Sequence, residues 1–164
     1  MNSKMIINVA AIAVIAGALI WFARSGAAPE EKQTIDAKGV LTALENSYDF
    51  GTVSMAKGKV THEFKVKNNG SESAKIVKFY TSCMCTEAKV MHNGKTFGPV
   101  GMPGHLPVPT INEVIEAGEE ATVEVTFDPA AHGPAGVGKI SRIVYLDNPN
   151  GRPLELNFTA TVTP

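Results

Sequence analysis

Two cysteines stand one residue apart in Tyr80-Thr81-Ser82-Cys83-Met84-Cys85-Thr86, and the chain has no others. A thiol pair at this spacing has three uses. On an extended strand residues i and i+2 face the same side, so both sulfurs are presented together and Met84 turns away. Oxidised, the pair forms a disulfide, which an oxidising compartment permits. Along a strand the two Cα atoms lie ~6.6–6.8 Å apart, so that bond needs local bending and is relatively reducible. Deprotonated, the pair offers two soft donors for Cu(I) or Zn, and a structural Zn needs two more ligands. Reduced and buried, the two side chains simply pack as small apolar groups. The spacing alone leaves all three readings open.

Outside the first strands, the remaining soft or imidazole donors are Met91, His92, Met102, His105 and His132. His105 ends the run Met102-Pro103-Gly104-His105, and His132 opens His132-Gly133-Pro134-Ala135-Gly136. Both settings are stiff and turn-prone, suited to holding an imidazole in place. If the two loops lie at the thiol end of the fold, the metal set is Cys83, Cys85, His105 and His132, with Met102 completing or gating it. His62 shares the parity of Val60, Phe64 and Val66 and reads as a hydrogen-bonded core histidine. His92 precedes Asn93-Gly94 and reads as an exposed turn residue. There is no Gly-rich phosphate loop, GxSxG or HExxH pattern. No histidine is placed as a base for either cysteine. The chain therefore reads as a protein without catalytic or cofactor-binding residues.

The elements that must position these groups are strands. Fifteen Gly and ten Pro in 164 residues, with few helical patterns, favour a turn-rich all-β fold. Leu44 to Phe50 is the first strand signal. Val60, His62, Phe64 and Val66 then alternate with polar residues, as in a half-buried strand. Strands follow at Lys75 to Tyr80, Thr122 to Phe127 and Lys139 to Leu146. The last puts Leu154, Leu156, Phe158, Ala160 and Val162 on one face. Two sheets packed through these faces give an immunoglobulin-like β-sandwich of about seven strands over residues 42–164. Residues 87–117 read as a long inserted loop.

The resemblance that these residues carry is to a bacterial family. Tyr48-Asp49-Phe50-Gly51-Thr52-Val53, His62-Glu63-Phe64, Asn68-Asn69-Gly70, Ser82-Cys83-Met84-Cys85-Thr86, Ala117-Gly118-Glu119 and Val125-Thr126-Phe127-Asp128-Pro129 occur in that order. Residues 44–162 thus resemble domain of unknown function 1573, whose members are similar to hydin-type immunoglobulin-like domains behind a signal sequence or anchor. The family's usual signature is Ser-Cys-Gly-Cys-Thr, and Met84 stands here in place of that Gly. The resemblance implies a fold and an envelope location, and it attaches no activity.

Residues 5–23 run almost without polar side chains, Asn8 being the main interruption. At ~1.5 Å per residue they reach ~28 Å, close to the ~30 Å hydrocarbon core of a bilayer. Trp21 sits where an amphipathic ring favours the interface, and Lys4 favours a cytoplasmic residue 1–4 segment. A cleaved signal peptide ending near Ala27 or Ala28 is the competing reading, but its apolar core would be unusually long. Residues 24–41 form a polar tether. The expected object is a single-pass, membrane-anchored extracytoplasmic module, periplasmic or at the cell surface. It serves as a binding or structural unit with a protein partner at the 87–117 loop or a sheet edge. The alternative is soft-metal or thiol-redox handling through Cys83 and Cys85 with the loop histidines. A net charge of -1 gives no field for nucleic acid.

Overall fold

The structure is a computed structural model and describes residues 39–149 and 151–164. The expected segments 1–4 and 5–23 and nearly all of the tether lie outside the described residues. Among those described, no helix is long and apolar enough to cross a membrane.

The chain is all-β. Its strands are β1 (Leu41–Ala43), β2 (Ser47–Ser54), β3 (Val60–Asn68), β4 (Ala74–Ile76), β5 (Lys78–Thr81), β6 (Thr86–His92), β7 (Lys95–Val100), β8 (Glu113–Ile115), β9 (Glu120–Phe127), β10 (Gly138–Asp147) and β11 (Leu154–Thr163). One sheet has the order β1-β3-β9-β6-β7 and a second β2-β11-β10-β5, while β4 and β8 form a separate ribbon. The inner faces meet in one core. Phe64 and Val66 of β3 and Val123, Val125 and Phe127 of β9 pack in it with Val144, Leu146, Leu156 and Phe158 of β10 and β11. Phe158 is fully buried, with ring centroids 5.4 Å from Phe50 and 5.5 Å from Phe127. This is the expected immunoglobulin-like sandwich, with more and shorter strands than about seven.

The added strands have identifiable causes. The run Lys75 to Tyr80 breaks at Val77, whose N–H donates to Asp147 and whose carbonyl accepts from Ile111 and Asn112. β4 thereby pairs with β8, while β5 pairs with β10.

The segment 87–117 is not one long loop. It carries most of β6, all of β7 and β8, and its longest irregular stretch is residues 101–112. The β6–β7 hairpin closes at Asn93-Gly94 with φ of 47° and 75°, the left-handed pair that a tight hairpin requires. Along β6 the inward residues are Thr86, Ala88, Val90 and His92. A small residue and two polar ones hide the alternation that marks a strand. His92 is accordingly no exposed turn residue; it is 4% exposed. His62 does lie at an inward position, half-buried, stacked on Tyr48 and 3.2 Å from Glu45.

Candidate functional site

Two crossovers between the sheets build the site. After β5 the chain leaves the four-stranded sheet, turns through residues 82–85 and enters the five-stranded sheet as β6. Ser82 extends the pairing with β10: its N–H donates to Ile143 and its hydroxyl accepts from the Ile143 N–H, both at 2.9 Å. The Thr86 N–H then donates to the Cys83 carbonyl at 3.1 Å, closing a tight turn. The buried Thr81 hydroxyl lies between the Cys83 and Thr86 carbonyls at 2.9 and 3.0 Å. The Cys85 carbonyl accepts from Asp128 at the end of β9. The cysteines therefore sit on a turn fastened to both sheets, and not on the extended strand expected from their neighbours.

The second crossover runs from β9 to β10. Asp128 accepts from the Ala130 N–H through its carboxylate and from the Ala131 N–H through its carbonyl. A single 3-10 turn, Gly133–Gly136, follows. A Cβ at Gly136 would stand 3.1 Å from the His132 Cβ. Glycine at that position lets the loop fold close against the histidine and aim it.

The two turns meet. The Cys83 Sγ lies 3.1 Å from His132 Nε2. The Cys85 N–H donates to Cys83 Sγ at 3.4 Å, and the Cys85 Sγ is 3.6 Å from the Thr86 hydroxyl. Arg142, on β10, donates from Nε to Cys85 Sγ at 3.4 Å. One ligand atom each from Cys83, Cys85 and His132 falls within 4.8 Å of the others. Both thiols are free, Cys83 8% and Cys85 2% exposed, while His132 is exposed.

The electrostatics divide the thiols. Burial would push Cys83 up, but hydrogen bonds from Cys85 and His132 and the Arg142 charge outweigh it and bring the thiol down to about 7. Burial pushes Cys85 above the ordinary thiol range, aided by its hydrogen bond with Cys83 and opposed by Arg142. Arg142 is itself pushed up: burial opposes its charge, and its contacts with the two sulfurs more than compensate. A thiolate beside an imidazole and a guanidinium is both a nucleophile and a soft donor. The three convergent atoms are soft or borderline, suited to Cu(I) or Zn.

Of the residues anticipated from sequence, Cys83, Cys85 and His132 come together. His105 does not; it is exposed, on a turn where its N–H donates to the Met102 carbonyl at 3.1 Å. A proline and a glycine stiffened that turn, but stiffness said nothing of where it lies. Half-buried Met102 follows Gly101, whose carbonyl accepts from the Thr81 N–H, so its turn is tied near the start of the cysteine turn. Arg142 was missed, although its signal was present. It shares the inward parity of Ile140, Val144 and Leu146 on β10, and an arginine at an inward position needs an acceptor.

A family model described as a protein of unknown function (DUF1573) matches residues 41–99. That span includes the cysteine turn and stops short of His132 and Arg142. A crystal structure of a protein of unknown function from Porphyromonas gingivalis W83 aligns with TM-score 0.54 and 14% identity over 80% of this chain. The chain spans about half of that structure, covering 51% of it. This likeness shows the shared fold. A PapD-like domain of human CEP192 aligns at TM-score 0.45 and 14% identity, covering 81% of this chain and 92% of that one. The CupB2 chaperone of Pseudomonas aeruginosa aligns at 0.39 and 12%, covering 74% and 55%. Among curated proteins, none matches the chain by sequence.

Proposed function

We propose that this immunoglobulin-like domain is a non-catalytic binding module whose ligand is a soft metal ion held by Cys83, Cys85 and His132. The observation that carries the reading is the meeting of two thiol sulfurs and an imidazole nitrogen within 4.8 Å, contributed by two separate crossovers. Two buried cysteines that served only to fill space would not need an imidazole at 3.1 Å from one and a guanidinium at 3.4 Å from the other. In this reading residues 5–23 anchor the chain and 24–41 tether the domain outside the cytoplasm, where it captures the ion. A protein partner would meet it through the irregular 101–112 segment or a sheet edge.

The test is direct. The full chain is purified reduced and without oxygen, exposed to Cu(I) or to Zn(II), desalted, and its bound metal counted. One ion per chain, lost in Cys83→Ser/Cys85→Ser, supports the reading. Equal binding by parent and variant removes the thiols from the site. The topology has its own test: a C-terminal reporter active only outside the cytoplasm supports the anchor, and a cytoplasmic signal defeats it.

A further inference from the structure

The geometry points to a three-coordinate site for a monovalent cation, Cu(I), with Arg142 setting that preference by balancing charge and closing the fourth side. This rests on the reading of the cluster as a soft-metal site and adds which ion it takes and why.

Donor number is the first consideration. Among the described residues, three Cys, His, Asp or Glu donors converge here, and they form the one such group. Structural Zn sites are almost always tetrahedral with four protein ligands. Cu(I) is the softest common candidate for a thiolate-rich set. The residue beside Cys85 where a fourth ligand would be useful is an arginine. A guanidinium carries five N–H donors and no acceptor, so it cannot bind a cation. The other polar neighbour of Cys85 Sγ is the Thr86 hydroxyl at 3.6 Å, a hard donor unsuited to a soft ion.

Charge is the second. Two thiolates carry -2 and Arg142 carries +1, with His132 neutral as a ligand must be. A monovalent ion brings the cluster to zero; a divalent one leaves it at +1. The two cysteines are 8% and 2% exposed and Arg142 is half-buried, so an uncompensated charge there is poorly solvated. Arg142 is placed to act on both sulfurs: it donates directly to Cys85 at 3.4 Å, and its charge also acts on Cys83. It lies on β10 opposite Phe158 of β11 and next to Ile143, which bonds to Ser82 of the cysteine turn, so the guanidinium is carried by the strand to which that turn is fastened. His132, exposed on the opposite crossover, is the side from which an ion arrives.

The experiment measures Cu(I) and Zn(II) affinities of the reduced full chain by competition with a chromophoric chelator for each ion. Parent, Arg142→Lys, Arg142→Met and Arg142→His are compared. One unit of charge acting over about 5 Å at an effective dielectric of about 20 changes relative affinity by roughly two hundredfold. Arg142→Met should raise Zn(II) affinity relative to Cu(I) by about that factor. Arg142→Lys, which keeps the charge, should hold the parent ratio within about threefold. Arg142→His supplies a fourth ligand, a second imidazole nitrogen, and should shift the ratio furthest toward Zn(II). A ratio unchanged in both Arg142→Met and Arg142→His overturns the inference while leaving the metal site standing. A parent that binds neither ion overturns the metal reading itself, and the inference with it.

Discussion

Cys83 should ionise near pH 7, below the ordinary thiol range, and pH-dependent alkylation of the metal-free chain shows this most clearly. The thiol is brought down to about 7 by Cys85, His132 and Arg142 against the opposing effect of burial. At pH 7 half of it is then thiolate, against roughly 3% for an ordinary thiol near pKa 8.5, about a 15-fold excess. A thiolate of lower pKa is also less nucleophilic: with a Brønsted slope of about 0.4–0.5, that costs about fivefold. The net rate gain at pH 7 is therefore only about threefold, and burial damps the absolute rate further. The midpoint of the pH–rate curve is the better observable, because neither factor moves it. Iodoacetamide labelling, with the modified peptide resolved by mass spectrometry, should show Cys83 reacting with a midpoint near 7. Cys85 should react only above the ordinary thiol range, as its burial and its contact with Cys83 require. His132→Ala removes the contact at 3.1 Å, so the Cys83 midpoint should move up, and the rate at pH 7 should fall by no more than about threefold. A parent midpoint at 8.5 or above, or one unchanged by His132→Ala, would refute the reasoning.

Two further outcomes follow from other parts of the fold. Gly136→Ala places a Cβ 3.1 Å from that of His132; it should raise the Cys83 midpoint and weaken metal binding at least severalfold, while the thermal midpoint stays within a few degrees, and an unaltered metal affinity would show that the loop does not aim the histidine. Glu113 lies 7% exposed between His92, at 2.8 Å, and Lys95. Its carboxyl is held below the usual range first by the His92 hydrogen bond, with burial opposing and Lys95 assisting. A depressed folded-state pKa stabilises the fold fully above the unfolded carboxylate value, and the gain is lost as pH falls through the folded one. Glu113→Ala should cost about 1–3 kcal/mol near neutral pH, because it strands the buried His92 Nδ1. That penalty should shrink on acidification below the carboxylate range, as read from urea unfolding at several pH values. A penalty independent of pH would count against the pair.

The parts of the fold that were legible in the sequence are those where apolar residues dominate the alternate positions. β3, β9, β10 and β11 lie within a few residues of where Val60–Val66, Thr122–Phe127, Lys139–Leu146 and Leu154–Val162 put them. β6 was not legible, because its inward positions hold Thr86, Ala88 and His92 around Val90. Asn93-Gly94 nonetheless marked the hairpin that follows. The break at Val77 depends on backbone partners at residues 111, 112 and 147, which no local pattern reveals. The candidate site divides along the same line. Cys83 and Cys85 were conspicuous by spacing, and His132 by its turn. Whether the His132 and His105 turns reach the thiols is a question of topology: the β9–β10 crossover reaches them, and His105 stays outside the group. Arg142 was readable by parity and overlooked, since a charged residue in an amphipathic strand is usually counted as outward-facing.

The measurement that tests the central claim most directly is X-ray absorption at the copper edge of the full chain loaded with one equivalent of Cu(I). The expected first shell is two sulfurs and one imidazole nitrogen, with the imidazole signature lost in His132→Ala and both sulfurs lost in Cys83→Ser/Cys85→Ser. A shell without sulfur, or one unchanged by both substitutions, would contradict the assignment of Cys83, Cys85 and His132 as the metal-binding residues.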